Sequence, residues 1–454
     1  MPETEISSPG NDKIQSWSDP ILVIGAGIVG LTIAQACRKK GIPYRIFERD
    51  PSAHHRDAGW AITLHWYFNV GMYLIFAASN LFARSLPTFL DLVPQDIADN
   101  LPDAYVNPER GIRDGEGNFF FFDLQTAKPV HKTPASRQIR FNREKLRRVL
   151  MKGINVEWSK TLDKFETGEQ GARTIFKDGT SASGYMIIGC DGSRSRVRQL
   201  LCPETYQNEP LPVKVLGVTA IYAKATELQA QDISYLQGGD PRTSVFLWFS
   251  FLDTPQNNCR KGENANTYLC HIQTSWPYKP GFLDREQPLD IPESPSERLA
   301  LMRELSDGWA EPFRSMVHNL PADVIPKDLN IADWPPGPEG GRVWDNRNGR
   351  VTLVGDAAHA MTMYRGQAAN HGVSDVKLLF QTLLPILQEL HGEDEPRHER
   401  QERQKAAIDE YESTMIKRVR PAVLESRQAA LDAHDYQRIV EGSPLVKTRL
   451  PAKD

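Results

Sequence analysis

At 454 residues the chain can bury a generous core, enough for two or three domains or one large interrupted one. Charged residues make up 25% and the net charge is -4, so there is no basic footprint for DNA or RNA. The five cysteines (Cys37, Cys190, Cys202, Cys259 and Cys270) have neither metal-ligand spacing nor the look of a disulfide framework, which points to a reduced, cytoplasmic setting without a structural metal.

Residues 1–19 are polar and lack an apolar signal region, and read as a tail. Residues 21–24 form an apolar run that reads as a buried strand. Residues 29–40 read as a helix closed by Gly41, and 44–48 as a second strand, a βαβ-type opening. Residues 68–83 are uncharged and apolar but shorter than the roughly 20 residues that cross a bilayer, so no stable membrane span is expected. A buried helix, a membrane-contacting loop and an insertion remain open for that segment. Residues 142–151 carry helical spacing before Gly153. Thr174-Ile175-Phe176 followed by Asp178-Gly179 signals a hairpin, and 185–188 a further strand.

From 213 to 276 the pattern changes to short β-rich runs at 215–223, 245–251 and 268–272, a mostly antiparallel sheet suited to facing a substrate. Helices are expected at 294–306 and 312–320, a strand at 351–354 and a long helix at 366–390. A charged, solvated stretch covers 391–404, and a last helical stretch, 406–434, is interrupted near Pro421. The fold class is therefore α/β: a doubly wound, Rossmann-like domain interrupted by an antiparallel sheet domain, with helices at the C-terminus. The boundaries fall at 20–205 and 341–390 for the two parts of the doubly wound domain, 206–340 for the sheet domain and 391–454 for the C-terminal helices.

Three glycine-aspartate signatures follow three apolar runs. In Gly25-Ala26-Gly27-Ile28-Val29-Gly30, Gly25 permits the tight turn, Gly27 lets backbone approach a pyrophosphate, and Gly30 allows close helix–sheet contact. Glu48 ends the next strand, where a carboxylate accepts from ribose hydroxyls. An acid there suits a free 2′-hydroxyl, hence FAD or NAD rather than a 2′-phosphate. In Gly355-Asp356-Ala357-Ala358-His359, Asp356 sits at a strand end with a polyol or ribityl hydroxyl as its natural partner. The helix after residues 361–370 aims its N-terminal dipole where a flavin carbonyl would lie. His359 is assigned no catalytic role. In the second signature, Asp191-Gly192 makes a turn, and Ser195, Arg196 and Arg198 open a polar helix. Its cations either serve a second nucleotide's phosphates or form a solvated helix start.

Together, GxGxxG at 25–30, DGxxSxVR at 191–198, GDAAH at 355–359 and Arg143 in Asn-Arg-Glu-Lys-Leu resemble the single-component FAD-dependent aromatic hydroxylases, and most closely their fungal secondary-metabolism members. The resemblance spans about residues 21–434. It implies FAD as cofactor, with Glu48 at the ribose, Asp356 at the ribityl chain, and Gly59, Arg143, Asp191 and Ala369 as further contacts. NAD(P)H would visit transiently, since only one full glycine fingerprint is present. It implies transfer of one oxygen atom of O2, through a flavin C4a-hydroperoxide, to an aromatic, polyketide- or indole-like small molecule. Met363 stands where the family has proline, and Trp334-Pro335-Pro336 does not match the halogenase relatives' WxWxIP. Phe246, Trp248 and Phe249 are candidate pocket residues, and His65 and Tyr364 the nearest candidates for a base. Rivals are a flavin-dependent dehydrogenase or reductase and an inactive flavin-binding protein. Against the family pattern, residues 67–84 are an insert. The codons permit a GT start, a CTAAC branch sequence and an AG end, as a retained intron would have.

Overall fold

The computed structural model describes residues 19–55, 59–65, 68–69, 82–83, 85–108, 116–222, 235–258, 260–338, 341–389 and 397–447. Its first layer is a sheet of five parallel strands in the order Val351–Leu353, Ile187–Gly189, Ile21–Ile24, Tyr44–Phe47 and Val156–Glu157. Ile21 to Ile24 are all buried, as expected of a parallel strand covered on both faces. Helices Ile28–Lys40, Arg143–Met151 and Ala368–Glu389, packed on one another, cover one face, and the three-stranded antiparallel sheet of Leu162–Gly168, Gly171–Phe176 and Ser181–Gly184 meets the other. Gln35 ties the first two together by donating to the carbonyls of Leu150 and Lys152 at 2.7 and 2.9 Å. The Asn142 side chain caps Arg143–Met151 by accepting from the backbone N–H groups of Glu144 and Lys145. The hairpin expected near Asp178-Gly179 forms from Gly171–Phe176 and Ser181–Gly184.

The second layer is an eight-stranded sheet in the order Lys327–Asp328, Val213–Tyr222, Tyr268–Pro277, Phe246–Asp253, Tyr235–Gly239, Glu116–Asp123, Pro129–Asn142 and Ala61–His65. Every pairing is antiparallel except that of Tyr235–Gly239 with Glu116–Asp123. Three of its strands thus come from before residue 143, outside the 206–340 segment. Phe121 and Phe122, adjacent in sequence, enter different apolar clusters, as a strand with two covered faces requires. One face packs Leu216, Val218, Leu247, Phe249, Ile272 and Trp276 against helices Pro295–Ser306 and Phe313–His318. The sheet also curls. Arg140 Nε donates to the Phe251 carbonyl at 3.4 Å and Asn142 Nδ2 to that of Leu252 at 3.1 Å, although their strands are not neighbours in the sheet.

Helix Arg397–Ala433 differs from expectation, because it runs unbroken through Pro421. A proline removes one N–H bond, but the buried face of Ile408, Tyr411, Met415, Val419 and Val423 holds the helix on both sides of it. The charged residues from 397 onward lie on this helix, as a charged stretch on a helix face would. Among the described residues, no helix is long and apolar enough to cross a membrane. Of residues 67–84, expected above to be an insert, only the paired strands Phe68–Asn69 and Phe82–Ala83 are described, and the remainder lies outside the described residues.

Candidate functional site

The three signatures leave the carboxyl ends of three neighbouring strands, where open α/β sheets bind ligands. Their glycines interlock. A Cβ on Gly25 (φ 104°) would lie 2.5 Å from the Cys190 carbonyl oxygen, and one on Gly30 would lie 2.0 Å from that of Gly25. A Cβ on Gly355 (φ 64°) would meet Val29 at 3.1 Å, and one on Gly372 would meet it at 2.6 Å. The first turn therefore meets the second through backbone and the third through the Val29 side chain against bare glycine.

Gly27 is different, since a Cβ there would meet nothing within 4 Å. It is also the N-cap of helix Ile28–Lys40, and no side chain caps that end. The open side of the turn thus presents helix N–H groups and the positive end of the dipole. Glu48 is buried at the rim, its Oε2 accepting from Ala26 N at 2.8 Å and its Oε1 from Asp50 N at 3.2 Å. Arg147 also grips this turn, donating to the carbonyls of Ala26 and Ala53 at 2.9 and 3.0 Å. Sequence reading missed it; the signal was its place one helical turn after Arg143.

Asp356 is the exposed member of an otherwise buried run. Desolvation by the surrounding protein raises its carboxyl pKa, while the charges of His359, Arg143 and Arg198 oppose that and favour the ionised form. Arg143 in turn lies under Gly59, where an added Cβ would be 2.9 Å from Nη1. Ala369, half-buried, sits in the first turn of Ala368–Glu389. Beside it, Asn370 accepts from His65 N and Ser85 Oγ and donates to the Thr63 carbonyl, fastening the helix start to the edge strand of the large sheet. Gly59, Arg143, Asp356 and Ala369 are therefore gathered between the two layers.

Below them is a buried ionic cluster. Asp375 accepts from Gly355 N at 2.9 Å, meets His359 Nε2 at 2.6 Å, and pairs with Arg418, which also contacts His371 Nδ1. Burial and the Arg418 charge push His371 well below its ordinary pKa, so it is neutral.

The second signature turns inward. Asp191 accepts from Ser195 Oγ and from the N–H groups of Arg196 and Val197, capping helix Arg196–Leu201. Arg198 is 1% exposed and donates to the carbonyls of Tyr206, Ala357 and Ser193 and to Asn208 Oδ1. Arg196 donates to the Asp163 carbonyl and to Gln199. Of the two alternatives for these cations, a second nucleotide's phosphates or a solvated helix start, the contacts fit neither for Arg198, which is buried against the turn, while Arg196 ties the helix start to the Leu162–Gly168 strand.

Alternation divides the three candidate pocket aromatics. Phe246 and Trp248 lie on the face toward the turns, while Phe249 belongs to the opposite, helix-backed core. Tyr364 is buried and donates to Ser275 Oγ at 3.4 Å. Ser275 Oγ also lies 2.8 Å from His434 Nε2, and His434 Nδ1 lies 2.6 Å from the Ala430 carbonyl. Sequence reading missed Ser275 and His434. It also missed His271, which stacks at 4.9 Å against Trp60 and contacts Gln273 at 2.7 Å. Their signal was a polar alternation, His271, Gln273 and Ser275, inside an apolar strand. Burial lowers both His271 and His434 to about 4, with Arg140 adding to the effect on His271.

Comparison with known proteins agrees with this layout. A family model described as an FAD binding domain matches residues 340–411. A probable FAD-dependent monooxygenase of Arthroderma benhamiae is 44% identical over 94% of this chain and 95% of its own length. The FAD-dependent monooxygenase dbaB of Emericella nidulans is 35% identical over 80% of this chain and 86% of its own. In fold, the chain is similar to Klebsiella pneumoniae HpxO complexed with FAD and uric acid, with a TM-score of 0.66 and 20% identity over 92% of this chain and 90% of that one.

Proposed function

This chain belongs to the FAD-dependent monooxygenases, oxidoreductases with FAD as cofactor, and on that premise we propose that it places one oxygen atom of O2 in an aromatic, polyketide- or indole-like small molecule at the expense of NAD(P)H. The observation that carries the reading is the interlocking of the Gly25-to-Gly30, Cys190 and Gly355 turns, with Arg143 coupled to Asp356, opposite a large sheet whose near face mixes aromatic and polar side chains. The residues fit a dinucleotide. The open N-terminus at Gly27 suits a pyrophosphate, and adding a Cβ there would intrude only on the ligand's space. Gly25 and Gly30 shape that turn. In this reading Glu48 serves the ribose and Asp356, exposed in a buried run, the ribityl chain, with Arg143, Gly59 and Ala369 as further flavin contacts. Asp191, which caps helix Arg196–Leu201, fixes the second of the three turns beside that site.

Bound FAD, once reduced, supplies the oxygen activation. The protein's share is to orient the substrate, exclude water and hold protons. Tyr364 and Ser275 form a chain toward neutral His434 between the 363–365 turn and the C-terminal helix, which fixes the loop leading into Ala368–Glu389. The test is purified holoprotein supplied with NADPH and a panel of phenolic ligands under labelled O2. One labelled oxygen atom in the product is expected; NADPH oxidation that continues without O2, with the ligand itself taking up the hydride and a proton, would establish a reductase instead.

A further inference from the structure

The start of helix Ala368–Glu389 is held from two sides. On one side Asn370 fastens it to the edge strand Ala61–His65. On the other stands Arg365, 3% exposed, at the end of the short turn Met363–Arg365. Its guanidinium joins three segments. Nε donates to Gln367 Oε1 at 3.1 Å, Nη1 donates to the Pro444 carbonyl, and Nη2 pairs with Glu425 of helix Arg397–Ala433 at 3.2 Å. Gln367 itself opens the helix, its carbonyl accepting from His371 N at 3.1 Å. A planar fork with five N–H donors holds three acceptors in one fixed geometry, which a lysine ammonium does not.

Pro444 belongs to residues 435–447, which follow the last long helix and lie across the large sheet. Tyr436 N donates to Ser244 Oγ at 3.2 Å and Tyr436 Oη to Asp123 Oδ2 at 3.4 Å, while the Ile439 carbonyl lies 3.0 Å from His131 Nε2. Ser443 Oγ ties the segment back to Asp432 at 2.6 Å. Leu445 and Val446 are buried in one apolar cluster with Phe246 and Tyr364. The segment and the helix start thus meet at one buried cation.

On the reading above, in which Ala369 is a flavin contact, we propose that Arg365 is a positioning residue for FAD. It seats the start of Ala368–Glu389 against the flavin and makes residues 435–447 part of that seat. A helix N-terminus favours negative charge beside it, and reduced flavin carries more negative charge than oxidised flavin. A seat that shifts therefore weakens reduced FAD more than oxidised FAD. Coupling is reciprocal: if residues 435–447 help to hold FAD, FAD steadies residues 435–447 by the same factor.

The experiment compares wild type, Arg365→Met and Arg365→Lys in two measurements. The first is FAD affinity together with the midpoint potential of the bound flavin. Arg365→Met should lose at least about fivefold more affinity for reduced than for oxidised FAD, a midpoint lowered by about 20 mV. Arg365→Lys, which keeps the charge but not the fork, should fall between. The second is amide hydrogen exchange, read peptide by peptide with and without FAD. In the wild type FAD should slow residues 436–447 at least about threefold. In Arg365→Met that effect should vanish, while the slowing at residues 25–30 remains. If Arg365→Met does not fold, Arg365→Lys and the wild-type exchange carry the test. Equal weakening of oxidised and reduced FAD would make Arg365 a structural residue and overturn the proposal. FAD that slows residues 368–371 but not 436–447 overturns the proposal alone. FAD that slows neither removes the helix start from the flavin, and the proposal falls with the reading beneath it.

Discussion

The Asp375 carboxylate accepts the backbone N–H of Gly355 at 2.9 Å, so the turn that carries Asp356 is anchored from below by a residue one strand–helix unit away. Burial alone would push this carboxyl up, but His359 and Arg418 more than offset it and hold it at about 2. Asp375→Asn keeps an acceptor for Gly355 but leaves Arg418 buried without its counter-charge. Removing one partner of a buried pair costs about 3–5 kcal/mol, and urea unfolding should register that loss. The sign with pH is fixed: a depressed folded-state pKa gives stability that is present above about 4 and lost as pH falls toward 2. A carboxyl held that far below its ordinary value contributes about 2 kcal/mol, which the variant should no longer lose over that window.

Asp356 should behave in the opposite way. It is exposed, and its role in the proposed function is toward the ribityl chain. Asp356→Ala is expected to leave the unfolding free energy of the flavin-free protein within about 0.5 kcal/mol while weakening FAD by at least about tenfold. Flavin fluorescence titration beside unfolding curves checks both. Equal loss of stability and affinity would make Asp356 a structural residue.

The glycine turn separates folding from binding in the same way. Gly30→Ala puts a Cβ 2.0 Å from the Gly25 carbonyl oxygen, and neither backbone has room to move, so little soluble protein is expected. Gly27→Ala meets no protein atom. It should fold with unchanged far-ultraviolet circular dichroism yet bind FAD at least about tenfold more weakly, because the methyl occupies the pyrophosphate's approach. Normal FAD content in Gly27→Ala would remove the pyrophosphate from that position.

What the sequence made legible was local grammar. Each signature is a strand followed by a turn that needs glycine, and the parallel sheet places those three turns side by side. The strands Ala61–His65, Glu116–Asp123 and Pro129–Asn142 were not legible as parts of the large sheet, because pairing partners such as Phe121 and Gln237 are non-local. Ser275 and His434 meet across 159 residues of sequence, and no spacing rule reports such a contact. Pro421 misled for a related reason: the propensity of one residue was outweighed by tertiary packing along the whole helix.

The two buried imidazoles give the protein a second, milder acid sensitivity. His271 and His434 are both held at about 4, chiefly by burial, so the folded state resists taking up their protons while the unfolded chain accepts them near 6.5. Between those values the unfolded state binds more protons, and stability therefore falls as pH drops from about 6.5 toward 4. Each site contributes up to about 3 kcal/mol across that interval, an upper figure if the chain relaxes to admit water. His434→Gln can keep a bond to Ser275 without titrating, so its unfolding free energy should fall less steeply between pH 6.5 and 5 than that of the wild type. His271→Gln should flatten the slope similarly, and the double variant should combine the two effects, since each imidazole has its own hydrogen-bond partners. Parallel wild-type and His434→Gln profiles would show that His434 takes up its proton in the folded state as readily as in the unfolded one, and that water reaches the Tyr364–Ser275 chain.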